Sequence, residues 1–388
     1  MIFLCVVVIV AVSCNKNDAT WLVETTDSPI VVEKVVDPTS YDTPVTGASL
    51  EQLIKVIGTN LANTASVYIN DVEAEMPLYA NVVNGILYIR VPYIAPTIVD
   101  NKIKITDKNG NTTEIPNFVI TLPHMQGNGP TGQMEWVEPG KELTISGDYF
   151  DLYRMDETTG GVVKIGNQNA QIVSMSKTEI KIIVPASATP NSDITLISPT
   201  GETVICKNRY RDGRWLMTDF NDKAGNGSLV YSNWIYQSSA LANGDPEPVD
   251  GTYLLYSGVY PGGYSAQGWG VLDMFGLSTI PDNINTERDQ YYFKFEAWTE
   301  FPPIMFCRFE FESWDPNETR TWWHYDNSGN IPVTAPVLGQ WYTVSIPAEM
   351  ITSNVGGIGV IKCFRIVDQG STAGAVHAAI DNPRFSLK

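Results

Sequence analysis

Gln290 to Tyr325 reads QYYFKFEAWTEFPPIMFCRFEFESWDPNETRTWWHY, and two runs within it alternate with a period of two. That period is the mark of half-buried strands. In the first run Tyr291, Phe293, Phe295 and Ala297 fall on one face, and Tyr292, Lys294, Glu296 and Trp298 on the other. In the second, Met305, Cys307, Phe309 and Phe311 share a face, against Phe306, Arg308, Glu310, Glu312 and Trp314. Glu300–Pro303 between them ends in Pro302-Pro303, so the runs read as the two arms of a hairpin. One hairpin face is then core. The other sets tryptophans among charged groups and is followed by Trp322 and Trp323. Aromatic rings beside carboxylates and cations are how a protein holds a sugar: C–H faces stack on rings, and hydroxyls bond to charged side chains.

Trp298 and Trp314 stand at the ends of this polar face, with Lys294, Glu296, Arg308, Glu310 and Glu312 between them. Trp322 and Trp323 are adjacent, so in an extended segment they point to opposite sides. A Gly-rich stretch from Tyr256 to Phe275 adds Tyr264 and Trp269 as rings that a bending loop can project. These eleven residues are the candidate glycan-binding set. The competing reading makes the tryptophans cover for a sandwich edge or packing under a loop, and Trp215, Trp234 and Trp341, beside strand starts, read as core. Each stacked ring contributes about 1–2 kcal/mol. Two or three such contacts give a Kd of roughly micromolar to millimolar.

Composition narrows the partners. Of 388 residues 43% are hydrophobic and 18% charged, which indicates folded domains, two or three at this length. Ten Trp and 18 Tyr exceed what cores of this size need. The net charge of −18 repels nucleic acid and anionic lipid. The three histidines, His124, His324 and His377, show no metal-ligand spacing, so neither metal nor cofactor is expected.

Ile2–Val12 is apolar and ends in Ala11-Val12-Ser13-Cys14. The run is too short to span a membrane and reads as a signal segment (residues 1–13), with a buried N-terminal strand as the alternative. No basic residue precedes it. A polar tether occupies 14–27. Then comes a repeat. Ile57-Gly58-Thr59-Asn60, Ile86–Pro92 and Asp107–Gly110 recur as Ile145-Ser146-Gly147-Asp148, Glu179–Pro185 and Ser198–Gly201. Matching landmarks are 89 (Gly58 to Gly147), 93 (Pro92 to Pro185) and 91 (Gly110 to Gly201) residues apart. Short β-branched strands ended by Gly, Asn or Pro read as two β-sandwiches, 28–122 and 123–208. Trp136 and Tyr149 read as core or inter-domain contacts. Residues 209–388 form a third domain of short strands and long loops, a jelly-roll-like sandwich. The fold class is all-β: tandem Ig-like sandwiches followed by a larger one.

The repeats resemble IPT/TIG immunoglobulin-like modules. The start resembles a bacterial lipobox with Cys14 as the lipidated residue. The third domain opens Tyr210-Arg211-Asp212-Gly213-Arg214 and then Asp219-Phe220-Asn221. Together these resemble Bacteroidota cell-surface glycan-binding proteins of the B type, from starch-utilisation-system-like loci, whose C-terminal domain resembles a xyloglucan-binding one. The resemblance implies an outer-membrane lipoprotein facing the outside of the cell. It further implies capture of a polysaccharide or oligosaccharide and its transfer to a TonB-dependent transporter and that transporter's partner lipoprotein.

Two other functions compete. An adhesin or structural stalk also uses Ig-like units and would bind a protein. A glycoside hydrolase would use Glu310 and Glu312, whose Cα atoms lie about 7 Å apart on one strand face. Glu310-Phe311-Glu312-Ser313-Trp314-Asp315 resembles the E-x-D-x-x-E strand of a jelly-roll glucanase family, with Glu for Asp and Asp for Glu at its later acidic positions. Nearby Arg308 and Lys294 hold carboxylates ionised, which disfavours a general acid. Cys206, Cys307 and Cys363 read as buried thiols, with a Cys307–Cys363 disulfide as the alternative. Asp219 and Asp381 meet if the first and last strands of the third domain pair, a weak pointer to a structural Ca²⁺.

Overall fold

The computed structural model describes residues 28–221, 228–231, 234–238, 244–260, 271–275, 281–284, 286–301, 306–313, 321–323, 331–332, 337–351, 363–368 and 374–388. The signal segment, the tether, Cys14, Tyr264, Trp269 and Trp314 lie outside them. No helix among the described residues is long and apolar enough to cross a membrane. Two compact units divide the chain, Met1–His124 and Met125–Lys388. The second holds both the later Ig-like sandwich and the C-terminal module.

The repeat is a repeat of backbone constraints. In the first sandwich, Val31–Asp37, Leu53–Thr59, Ile86–Arg90 and Ala80–Val83 are neighbours in one sheet. In the second, Gln126–Thr131, Glu142–Asp148, Glu179–Ile183 and Gln168–Met175 follow the same order. Gly58 and Gly147 sit where the opposing strand bulges, between Val32 and Lys34 and between Gly127 and Gly129. A Cβ on Gly58 would lie 2.1 Å from the Val31 carbonyl oxygen, and one on Gly147 would lie 2.0 Å from that of Gln126. Only glycine allows that approach. Before each proline, Val91 donates its N–H to Gln52 O and Val184 to Lys141 O. Gly110 and Gly201 turn their hairpins at φ +86° and +91°. Alternate residues of each strand fill the core, for example Ile54, Val56, Leu87 and Ile89 in the first unit.

Among the described residues the C-terminal module has eleven strands: β1 (Ser228–Tyr231), β2 (Trp234–Gln237), β3 (Tyr253–Tyr260), β4 (Val271–Phe275), β5 (Tyr291–Thr299), β6 (Phe306–Ser313), β7 (Thr321–Trp323), β8 (Ile331–Pro332), β9 (Tyr342–Pro347), β10 (Cys363–Asp368) and β11 (Gly374–Leu387), with a short helix α1 (Ala348–Ile351) after β9. They form a five-stranded sheet, β2-β3-β11-β5-β9, and a second sheet, β1-β4-β10-β6-β7 with β8 also on β6. That second sheet is described by its backbone and register.

The expected hairpin does not form. β5 pairs with β11 and β9, and β6 pairs with β10, β7 and β8, so the alternating runs belong to different sheets. The Pro-Pro segment connects the two sheets of a sandwich. Phe293 and Phe295 are fully buried, and Phe293 packs 5.5 Å from Phe385 of β11. The Gly-rich stretch is shorter than its sequence implies, because β3 runs to Tyr260 and Tyr256 is buried. Register also excludes the Cys307–Cys363 disulfide. Cys307 opposes Asp368, five residues from Cys363, and the two cysteines fall on opposite faces. Five residues span about 17 Å of strand, against the 4.4–6.8 Å usual between the Cα atoms of a disulfide, which is at most about 7 Å. Cys206 is a buried free thiol, its pKa pushed up to about 12 by burial.

Candidate glycan-binding site

Three members of the predicted set sit elsewhere in the architecture. Lys294 and Glu296 are 6% and 0% exposed, at the junction between the second Ig-like sandwich and the five-stranded sheet. Lys294 Nζ lies 2.8 Å from both carboxylate oxygens of Glu135, a residue of the Ig-like sandwich. Arg384 of β11 donates two bonds to Glu296, at 2.7 and 3.0 Å. Its guanidinium also lies over the Trp136 ring at 4.9 Å. Thr343 Oγ1 joins the network by donating to Glu296 and accepting from the Glu135 N–H. Burial raises the Glu296 carboxyl above the usual range, and Arg384 offsets part of this. Two carboxylates and two cations thus neutralise one another in a buried seam.

Other contacts tighten the seam. Trp136 Nε1 donates to Asp250 at 2.6 Å, which makes this tryptophan an inter-domain contact. The Asn208 side chain donates to Leu387 O and accepts from Leu387 N, imitating a strand partner for the end of β11. Tyr210 O–H and Arg211 Nε both donate to Val137 O.

Trp298 is 6% exposed and cannot be a solvent platform. It clusters with Tyr253, Leu255 and Ala379, with Trp341 packed against them. The segment 244–251 covers this face: Trp341 Nε1 donates to Glu247 O and Tyr253 O–H to Pro246 O. The edge of the His377 ring meets Trp298 at 5.0 Å. Nδ1 of His377 lies 2.7 Å from Glu300 and Nε2 lies 3.0 Å from Asp245. The outer face of the five-stranded sheet is therefore covered around Trp298, Tyr253, Leu255 and Ala379, while Ser257 and Val259 at the far end of β3 stay exposed.

The same region holds Asp381, fully buried, with one oxygen accepting from the Asn382 N–H and the other without a partner. Burial, then the charges of Asp250 and Glu296, push its carboxyl well above the usual range. Asp219 acts on it too, since Leu216 bridges to Arg384 and brings the opening segment against β11. Among the described residues no group of three or more Asp, Glu, His or Cys is placed to hold a metal ion.

The remaining described candidates lie on the second sheet. Arg308, Glu310 and Glu312 of β6 oppose Val367, Arg365 and Cys363 of β10, and Trp322 of β7 opposes Glu312. Directly opposed residues share a face, so Arg308, Glu310, Glu312 and Trp322 stand together. Trp323 opposes Phe311, on the face of Cys307 and Phe309. Register adds two residues that no local pattern marked. Arg365 is the partner of Glu310, and Asp273 of β4 is the partner of Arg365. Only strand pairing could have found them, because β4 lies more than thirty residues upstream of β6 in sequence.

Residues 210–386 match the family described as the surface glycan-binding protein B xyloglucan binding domain, and residues 133–206 match the IPT/TIG domain. The C-terminal module is thus similar to that glycan-binding domain family along nearly its whole length. Among solved structures, the surface glycan-binding protein PbSGBP-B from Prevotella bryantii shares the fold, with a TM-score of 0.59 and 19% identity over 93% of this chain and 99% of that one. SGBP-B from a complex xyloglucan utilization locus in Bacteroides uniformis is 13% identical over 93% of this chain and 100% of that one, with a TM-score of 0.44. No curated protein matches the chain.

Proposed function

We propose that this protein is a non-catalytic outer-membrane lipoprotein that captures a neutral polysaccharide at the cell surface and passes it to a TonB-dependent transporter and its partner lipoprotein. The match of residues 210–386 to a glycan-binding domain family carries the reading. The lipid anchor on Cys14 and the transfer partners extend it from the resemblance of the N-terminus and the domain order. The contact surface belongs to the second sheet of the module, because the candidate residues of the first, Lys294, Glu296 and Trp298, are buried in packing and ion pairs.

Affinity electrophoresis of the full chain through gels containing xyloglucan, mixed-linkage β-glucan or glucomannan tests this. Retardation by at least one is expected, with no reducing ends released. Free migration in all three would favour an adhesin that binds protein. Oligosaccharide release that the Glu310→Gln/Glu312→Gln protein lacks would make the protein a hydrolase.

A further inference from the structure

The second sheet carries an ordered pattern on one face. Cross-strand partners put Leu229, Asp273, Arg365 and Glu310 in one transverse row across β1, β4, β10 and β6. The next row is Phe275, Cys363, Glu312 and Trp322. The row on the other side is Tyr231, Val271, Val367 and Arg308. Charges of alternating sign thus occupy three neighbouring central strands, and rows containing aromatic residues flank them. Neighbouring strands lie about 4.8 Å apart, so the charged groups are closely spaced. The opposite face of the same strands carries Leu272, Met274, Phe364, Ile366, Cys307 and Phe309, with Asp368 and Ser228 at its margins.

We propose that the row Asp273–Arg365–Glu310 orients the hydroxyls of an uncharged sugar chain, with Trp322 and Phe275 in the adjoining row supplying ring surface, and that it selects neutral chains over uronate-bearing ones. The proposal rests on the glycan-capture reading above and adds the site and its selectivity. A sugar hydroxyl both donates and accepts, so it suits a row in which acceptor, donor and acceptor alternate. Among the described positions of this face, three carboxylates (Asp273, Glu310, Glu312) stand against two guanidiniums (Arg308, Arg365), one net negative charge, within a protein of net charge −18. A polyanion meets like charge there, which is how an interface rejects a wrong partner. The competing role for the row is structural, since opposed charges also steady a sheet.

Isothermal titration of the full chain separates the two. Wild type is titrated with the neutral polysaccharide that retards it and with polygalacturonate, alongside Arg365→Gln, Asp273→Asn and Arg365→Lys, each with its melting temperature. Arg365→Gln and Asp273→Asn are expected to weaken neutral binding about tenfold or more, as loss of a hydrogen bond to a charged group does, while Arg365→Lys recovers part of the loss. Wild type is expected to ignore polygalacturonate. Unchanged affinity with lowered melting temperatures would make the row structural only and overturn the proposal. Equal binding of polygalacturonate would overturn the selectivity. Asp273→Asn is nearly isosteric, so it keeps the test open if an Arg365 variant does not fold. Failure of wild type to bind any neutral chain would instead refute glycan capture itself, and this inference with it.

Discussion

Glu135→Gln tests the buried seam between the Ig-like sandwich and the C-terminal module. The substitution keeps the side-chain shape but removes the charge that two 2.8 Å contacts bring to Lys294. Lys294 and Glu135 side chains are 8% and 11% exposed, so water screens the pair little. Breaking a buried pair by removing one partner costs about 3–5 kcal/mol, because a charge stays buried without compensation. Glu296, the other carboxylate of the seam, is already engaged by Arg384 and gives Lys294 no relief. For a cooperative unit the size of Met125–Lys388, each kcal/mol shifts the melting temperature by about 2–4 °C. Taking the lower end, about 3 kcal/mol, the transition should fall by about 6–12 °C in calorimetry. Replacing both partners, Glu135→Gln with Lys294→Met, should restore most of the loss, since no buried ammonium is then left without its counter-charge. A melting temperature unchanged in Glu135→Gln, or strictly additive effects in the double variant, would refute the seam as an energetic link.

Three further outcomes follow from the geometry. Asp381→Asn should raise stability at pH 7. The raised pKa means that the folded state favours the neutral acid, so the Asp381 contribution is complete below about pH 3.9, the unfolded value, and fades as pH rises toward the folded one. Melting curves of the two proteins should converge near pH 3.5 and separate at pH 7. Gly147→Ala should cost about 3 kcal/mol, because its Cβ would meet the Gln126 oxygen and the Phe150 ring. Gly201→Ala, at φ +91° in open space, should cost about 1–2 kcal/mol, both losses being read by denaturant titration. His377→Ala leaves the Asp245 side chain, 8% exposed, without its ring partner, a loss of about 1–3 kcal/mol. The segment 244–251 should then be cut faster in limited proteolysis than in wild type.

The repeat was legible because each of its landmarks is a constraint on the backbone itself. Gly58 and Gly147 tolerate no Cβ, and Gly110 and Gly201 need positive φ. Such demands leave the same letter at the same place in both copies. The hairpin was misread for a different reason. Alternation of polar and apolar residues along β5 reports two faces, not what covers the polar one. Lys294 and Glu296 looked like solvent-facing charges, yet their partners are Glu135, more than 150 residues away, and Arg384. A buried ion-pair seam and a wet surface give the same pattern in one strand. Trp298 was drawn into the error because it shares that face. In β6 the alternation puts Arg308, Glu310 and Glu312 on one face, while Asp273 and Arg365 became visible only through the pairing of β4, β10 and β6.

Hydrogen–deuterium exchange of the full chain, with and without a bound neutral oligosaccharide, tests the central claim most directly. The account predicts slowed exchange in Val271–Phe275, Phe306–Ser313, Thr321–Trp323 and Cys363–Asp368, with Tyr291–Thr299 and Tyr342–Pro347 unchanged. Protection confined to those last two strands or to the Ig-like sandwiches, or no protection with any glycan, would contradict it.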